Sequence, residues 1–207
     1  MKFPIKKYVD LNKFKDDYYK SFNNGFGSIK NKELIKVIRI LEKAYKSKNK
    51  KIMVCGNGGS AALANHFVCD HQKILYETKK IKPNMISLSS NSALMTAISN
   101  DNAYEDVFSD QVLQIGKKND ILITISSSGS SKNIVKAIRT AQKLNIYCIS
   151  LTGFKGELSK KIADVNLHID SQNYGIVESL HHTLMNIISQ FIKNKNISDK
   201  KTKFSFY

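Results

Sequence analysis

The stretch Ile52-Met53-Val54-Cys55-Gly56-Asn57-Gly58-Gly59-Ser60-Ala61-Ala62 decides the class of this chain. Four apolar residues, enough for a short buried strand, drop into a glycine-rich turn. That turn opens a helical pattern ending near Gln72. A strand, a glycine loop and a helix start make an anion-binding arrangement. Glycines let the backbone approach closely, and the free N–H groups of a first helical turn carry partial positive charge. The pattern is not the dinucleotide fingerprint, which needs a third glycine where Ala61 stands. Nor is it a P-loop, since no Gly-Lys-Ser/Thr follows. On this stretch alone, a tight turn of any α/β fold remains the plain alternative.

A second stretch repeats the logic. Ile121-Leu122-Ile123-Thr124-Ile125 reads as a buried strand and runs into Ser126-Ser127-Ser128-Gly129-Ser130-Ser131-Lys132-Asn133, before a helical pattern from Ile134. Serine hydroxyls and backbone amides converging on a helix start suit a phosphate monoester. A serine-rich linker would not be flanked so tightly by a strand and an amphipathic helix.

Outward from these loops the chain alternates. Strand-like runs lie at Ile52–Cys55, Met85–Leu88, Ile121–Ile125, Tyr147–Leu151 and Val165–Ile169. Helical patterns fall between them at 60–73, 91–99 with 104–114, 132–144 and 157–162. Such alternation predicts right-handed βαβ units and a mostly parallel sheet, with both loops at the carboxyl ends of strands. Two amphipathic helices precede the sheet, at 8–24 (Tyr8, Leu11, Phe14, Tyr18, Tyr19, Phe22) and 32–48 (Leu34, Val37, Ile38, Leu41, Tyr45). They pack either on their own sheet or on another copy of the chain. A long helix closes the pattern from Gly175 to about Lys193. One domain is expected over 1–194, followed by a basic, mobile tail over 195–207.

The 207 residues, 42% hydrophobic and 24% charged, are ordinary for a globular protein. No apolar run is long enough for a bilayer and the polar start lacks a signal-peptide core, so a cytoplasmic location and no membrane partner are expected. Cys55, Cys69 and Cys148 lack metal or redox spacing and read as reduced, mostly buried thiols. The net charge of +16 raises nucleic acid as a partner, but only Arg39 and Arg139 are arginines. Arginine is the preferred reader of phosphate and guanine, so scattered lysines argue against that partner and fit attraction of an anionic substrate.

Two helix faces carry chemistry. His66 and Asp70 stand four apart on the helix opened by the glycine loop. Glu178 and His182 repeat that spacing on the closing helix, with His181 one step round and Asn186 one turn further. Facing one another, the pairs would form a metal or acid–base site; apart, each is a surface contact.

Gly56-Asn57-Gly58-Gly59-Ser60, His66-Phe67, Ser99-Asn100-Asp101 and Ile125-Ser126-Ser127-Ser128-Gly129-Ser130-Ser131 together resemble the phosphoheptose isomerases of the sugar isomerase (SIS) domain superfamily. The resemblance runs from about Lys30 to Lys193. It implies a single flavodoxin-like α/β domain with a five-stranded, mostly parallel sheet flanked by helices, and N-terminal helices used to build a homotetramer. It implies an aldose–ketose isomerase converting sedoheptulose 7-phosphate to D-glycero-D-manno-heptose 7-phosphate for lipopolysaccharide or capsule heptose, with no nucleotide cofactor. Ser126, Ser127, Ser128 and Ser131 would hold the phosphate. Asn57, Gly58 and Ser60 would meet the sugar hydroxyls or the phosphate edge, Asp101 would orient the chain, and Glu178 would also contact the substrate. The family binds a zinc, one per subunit, through a histidine at His66, a glutamate at Asp70, a glutamine at Glu178 and a histidine at Asn186, and the glutamate and second histidine also move the proton. Only His66 is kept here. The set His66, Asp70, Glu178 and His182 offers four competent ligands instead. Asp70 with His182, or His181, would serve as the catalytic acid–base groups. The alternative is a non-catalytic SIS protein that binds a phosphosugar or a protein partner and regulates.

Overall fold

The computed structural model describes residues 2–4, 6–47, 49–78 and 80–197. Two helices, α1 (Leu11–Gly27) and α2 (Asn31–Tyr45), precede an alternating series. It runs β1 (Ile52–Gly56), α3 (Gly59–Tyr76), β2 (Met85–Ser87), α4 (Ser92–Asp101), a 3₁₀ turn (Tyr104–Asp106) and α5 (Ser109–Ile115). Then follow β3 (Ile121–Ser126), α6 (Lys132–Lys143), β4 (Tyr147–Thr152), α7 (Glu157–Ile162), β5 (Val165–His168) and α8 (Tyr174–Asn196). All pairings are parallel, in the order β2-β1-β3-β4-β5. This is the doubly wound flavodoxin order, with its switch point between β1 and β3. The two loops singled out in the sequence leave those two strands.

A central parallel sheet must be apolar on both faces, and β1, β3 and β4 are. Val54, Ile123, Ile125 and Leu151 face a core completed by Leu41, Phe67, Val177 and Leu184, from α2, α3 and α8. Met53, Cys55, Leu122 and Cys148 face the other way, against Phe108, Val112, Ile134 and Ile138. Burial pushes the Cys55 thiol well up and the Cys148 thiol up to about 12, so both are inert, whereas Cys69 is exposed.

Element ends follow local chemistry. Helix α1 starts at Leu11 rather than near Tyr8, because Asp10 caps it, accepting from the Asn12 backbone N–H at 2.9 Å. Asn173 caps α8 in the same way through Ile176 N–H. At its other end α8 runs on through Lys195 and Asn196, where the tail was expected to begin. Glu42 of α2 accepts from Lys195 Nζ at 2.8 Å and from Asn196 Nδ2 at 3.1 Å, which holds that last turn. The rest of the expected tail, 198–207, lies outside the described residues. The pattern at 104–114 splits into the 3₁₀ turn and α5. Among the described residues no helix is long and apolar enough to cross a membrane. Helix α2 packs on its own sheet, while Leu11, Tyr19 and Phe26 of α1 and Ile35 of α2 keep exposed apolar faces.

Candidate active site

The glycine loop and the serine loop end side by side and line one cavity of about 140 Å³. From the first loop come Asn57 and Ser60; from the second, Ser126, Ser127, Ser128 and Ser131. Tyr174 and Glu178, on the first turns of α8, close it. In the glycine loop, Gly58 turns the chain at φ +53°. Gly59 admits another group: a Cβ there would lie 2.7 Å from Glu178 Oε2. The carboxylate of α8 therefore sits on the start of α3.

The serines divide the work. Ser126 Oγ accepts from Gly129 N–H at 3.1 Å and shapes the loop. Ser128 Oγ receives Ser130 Oγ at 3.1 Å. Ser127 Oγ is buried without a hydrogen-bond partner, and Ser131 stands at the N-cap of α6 without making a side-chain cap. A buried hydroxyl lacking a partner costs free energy unless a ligand meets it. It shares the cavity with Ser131 at the N-terminus of α6, an arrangement that suits an anion with several acceptor oxygens.

Helices α3 and α8 pack together, and their facing sides hold a second cluster. His66 Nε2 lies 3.0 Å from Asp70 Oδ2, and the His66 and His182 rings meet edge to face with centroids 4.6 Å apart. One ligand atom each from His66, Asp70 and His182 falls within 4.8 Å of the others. His182 Nε2 is buried and has no partner. Two imidazoles and a carboxylate at this separation are a donor set that fits zinc, and the orphaned nitrogen is a place for it.

Several expected roles change. Glu178 is not part of that trio; its carboxylate lies on Gly59, in the cavity with the serines. His181 is excluded from the site. It is fully buried about 100° round α8 from His182, on the apolar stripe with Val177 and Leu184, and burial lowers its imidazole to about 4. Asp101 ends α4, exposed and outside the cavity lining, accepting from Asn100 Nδ2. Asn57 lines the cavity, but its amide is already engaged by Asn133 and Tyr104. Those two residues and Tyr174, whose ring meets Phe154 at 4.6 Å, were not singled out from sequence. For Asn133 a signal was available: a short polar residue directly after the serine loop, inside a first helical turn.

Residues 17–153 match the SIS domain family. The probable phosphoheptose isomerase of Thermoplasma acidophilum is 36% identical over 182 residues, which is 86% of this chain and 99% of that protein. This chain belongs to the phosphoheptose isomerase family. The phosphoheptose isomerase of Helicobacter pylori strain Shi470 is 39% identical over 150 residues, 70% of this chain and 78% of that one. The fold agrees as well. The structure of the phosphoheptose isomerase from Neisseria gonorrhoeae superposes with a TM-score of 0.79 at 26% identity, over 88% of this chain and 98% of that chain. In this chain His182 places a second imidazole beside His66 and Asp70.

Proposed function

We propose that this protein interconverts sedoheptulose 7-phosphate and D-glycero-D-manno-heptose 7-phosphate, supplying heptose for lipopolysaccharide or capsule. The observation that carries this is the cavity in which the partnerless Ser127 hydroxyl and the α6 N-terminus sit opposite Glu178, at the α3–α8 seam that carries His66, Asp70 and His182. The serine side of the cavity suits a phosphate, and the trio, reached one helical turn along α8 from Glu178, suits proton transfer.

In this reading the hydroxyls of Ser127, Ser128 and Ser131 and the first amides of α6 bind the phosphate, which fixes the reach of the sugar chain. The carbonyl end then lies toward α3 and α8. A group there removes the proton from the carbon beside the carbonyl while an acid protonates the carbonyl oxygen. The resulting enediol takes a proton back on the former carbonyl carbon while the hydroxyl on the first carbon gives its proton up and becomes the new carbonyl, so no atom or electron is gained or lost. Asp70 and His182 fill these roles, since a carboxylate and an imidazole can each accept a proton and return it. Asn186 cannot, because a carboxamide has no accessible proton exchange there. A zinc ion, one per subunit, would be held by His66, Asp70 and His182. When bound, it supplies positive charge that polarises the carbonyl oxygen. The exposed Leu11, Tyr19, Phe26 and Ile35 support assembly through α1 and α2, as a homotetramer.

The test is direct. Purified protein is incubated with sedoheptulose 7-phosphate and aldose formation is followed, with and without EDTA, alongside elemental analysis. Conversion supports the reading. Binding of the sugar phosphate without conversion, even with added zinc, overturns it in favour of a regulatory SIS protein.

A further inference from the structure

Where β1 and β3 pair, their positions are set by the ladder, whose last partners are Gly56 and Ile125. Beyond them the two loops part. Among the described residues no backbone hydrogen bond crosses from Asn57–Ser60 to Ser126–Ser131. Yet the loops have to hold one distance. The glycine loop launches α3, which carries His66 and Asp70, and the serine loop holds the phosphate in the function proposed above, on which this inference rests.

One side chain bridges the gap. Asn57 Nδ2 donates to Asn133 Oδ1 at 2.9 Å, and Asn133 Nδ2 donates back to Asn57 Oδ1 at 2.9 Å. The two carboxamides form a reciprocal pair, planar group to planar group, with both partners using a donor and an acceptor. The same Asn57 Oδ1 accepts a third bond, from the Tyr104 hydroxyl at 2.9 Å. Asn133 is buried on the first turn of α6, directly behind the serine loop. Tyr104 belongs to the 3₁₀ turn, itself tied to α6 by Lys132 with Glu105 at 2.8 Å and by Lys136 with Asp106. The Tyr104 ring is 53% exposed and adds little to the core, so its hydroxyl has one evident use.

We propose that Asn133 and Tyr104 are positioning residues: they lock the Asn57 amide and thereby fix the start of α3 against the serine loop. Asn57, which also lines the cavity, in turn acts as a strut between the two loops. Loosening it moves the acid–base helix relative to the bound phosphate, and a misplacement of about 1 Å costs on the order of a hundredfold in rate. Phosphate binding, made by the serine loop itself, is unaffected.

The experiment compares wild type, Tyr104→Phe, Asn133→Ala and the double variant. In both single variants kcat falls roughly ten- to a hundredfold, while the dissociation constant for inorganic phosphate stays within about threefold. The double variant falls no further than the worse single one, since both act through Asn57. Hydrogen exchange in a peptide spanning Gly58–Leu63 rises at least about tenfold in each, with no change in strand β3. Tyr104→Phe removes only a hydroxyl from an exposed ring and keeps the melting temperature, so misfolding cannot imitate the result. Unchanged exchange at Gly58–Leu63 overturns the inference whether or not the protein converts the sugar. So does a loss of phosphate affinity equal to the loss of kcat. Wild type that shows no conversion defeats the isomerase reading alone, and exchange then still decides the strut.

Discussion

Gly59→Ala should divide activity from stability. Gly59 is exposed at the first position of α3 and its φ is ordinary, so alanine is tolerated by the backbone and gains roughly 0.5–1 kcal/mol through the unfolded chain. The added Cβ would stand 2.7 and 2.8 Å from the two carboxylate oxygens of Glu178 and 2.9 Å from its Cδ. Those atoms end a flexible side chain. They retreat by about 1 Å at a rotamer cost of roughly 0.5–1.5 kcal/mol. The two effects nearly cancel, leaving net stability within about 1 kcal/mol and a melting shift of no more than roughly 4 °C for a chain of this size. The cavity, however, loses its carboxylate from the place where it faces the serines, and kcat/KM falls on the order of a hundredfold. Thermal melting and steady-state kinetics with sedoheptulose 7-phosphate measure both sides. Full activity at an unchanged melting temperature would show that Glu178 has no part in the reaction. A drop of about 10 °C or more, well over twice the shift reasoned above, would show that the glycine serves the fold instead.

Ser127→Ala combined with Ser128→Ala should abolish the thermal protection given by sulfate or a sugar phosphate, which follows RT ln(1 + [L]/Kd), and equal protection in wild type and variant would place the anion elsewhere. His182→Ala and Asp70→Asn should each lower kcat by roughly two to four orders of magnitude while phosphate binding persists. Elemental analysis of the same variants should show bound zinc falling with them, and activity surviving either change would remove that residue from the acid–base pair. Glu42 gives a pH signature. Hydrogen bonds from Lys195, then Lys46 and Asn196, hold its carboxyl near 2 against an ordinary 4.5. A lowered value means stability present above about 4.5 and lost as pH falls toward 2. The lysines are half exposed, so Glu42→Gln should cost roughly 2 kcal/mol at pH 7, less than the full shift implies. In urea melts the gap to wild type should close between pH 4.5 and 2, and a gap constant with pH would refute this assignment.

The strands and both anion loops were legible because their signals are local: apolar runs that stop at glycine or serine clusters before a helical period. The pairing of His66 with Asp70 was equally local. What sequence left open was rotation. His181 and His182 differ by about 100° around one helix. The buried stripe of Val177, His181, Leu184 and Ile188 settles which of them turns inward. That stripe could have been read beforehand; the orphaned His182 nitrogen could not. The joining of Tyr104 and Asn133 to the site was unreadable for another reason. Their partner, Asn57, is 47 and 76 positions away, and nothing in a polar side chain's neighbours declares a partner at that range. Asn57 was legible as a residue of the sugar or phosphate cavity, which it lines, but its bonds to those two partners were not.

The carboxylate resting on Gly59 has one more consequence. A glycine turn at a helix start would attract a phosphate, and this molecule owns two such starts facing one small cavity. A substrate carrying a single phosphate could then enter in either of two directions, only one of them productive. Glu178 places its own oxygens over the first start, and in the function proposed above that leaves the second to the phosphate. The cavity would thereby be polarised, and a sugar phosphate entering it would be seated head to tail before any bond is broken.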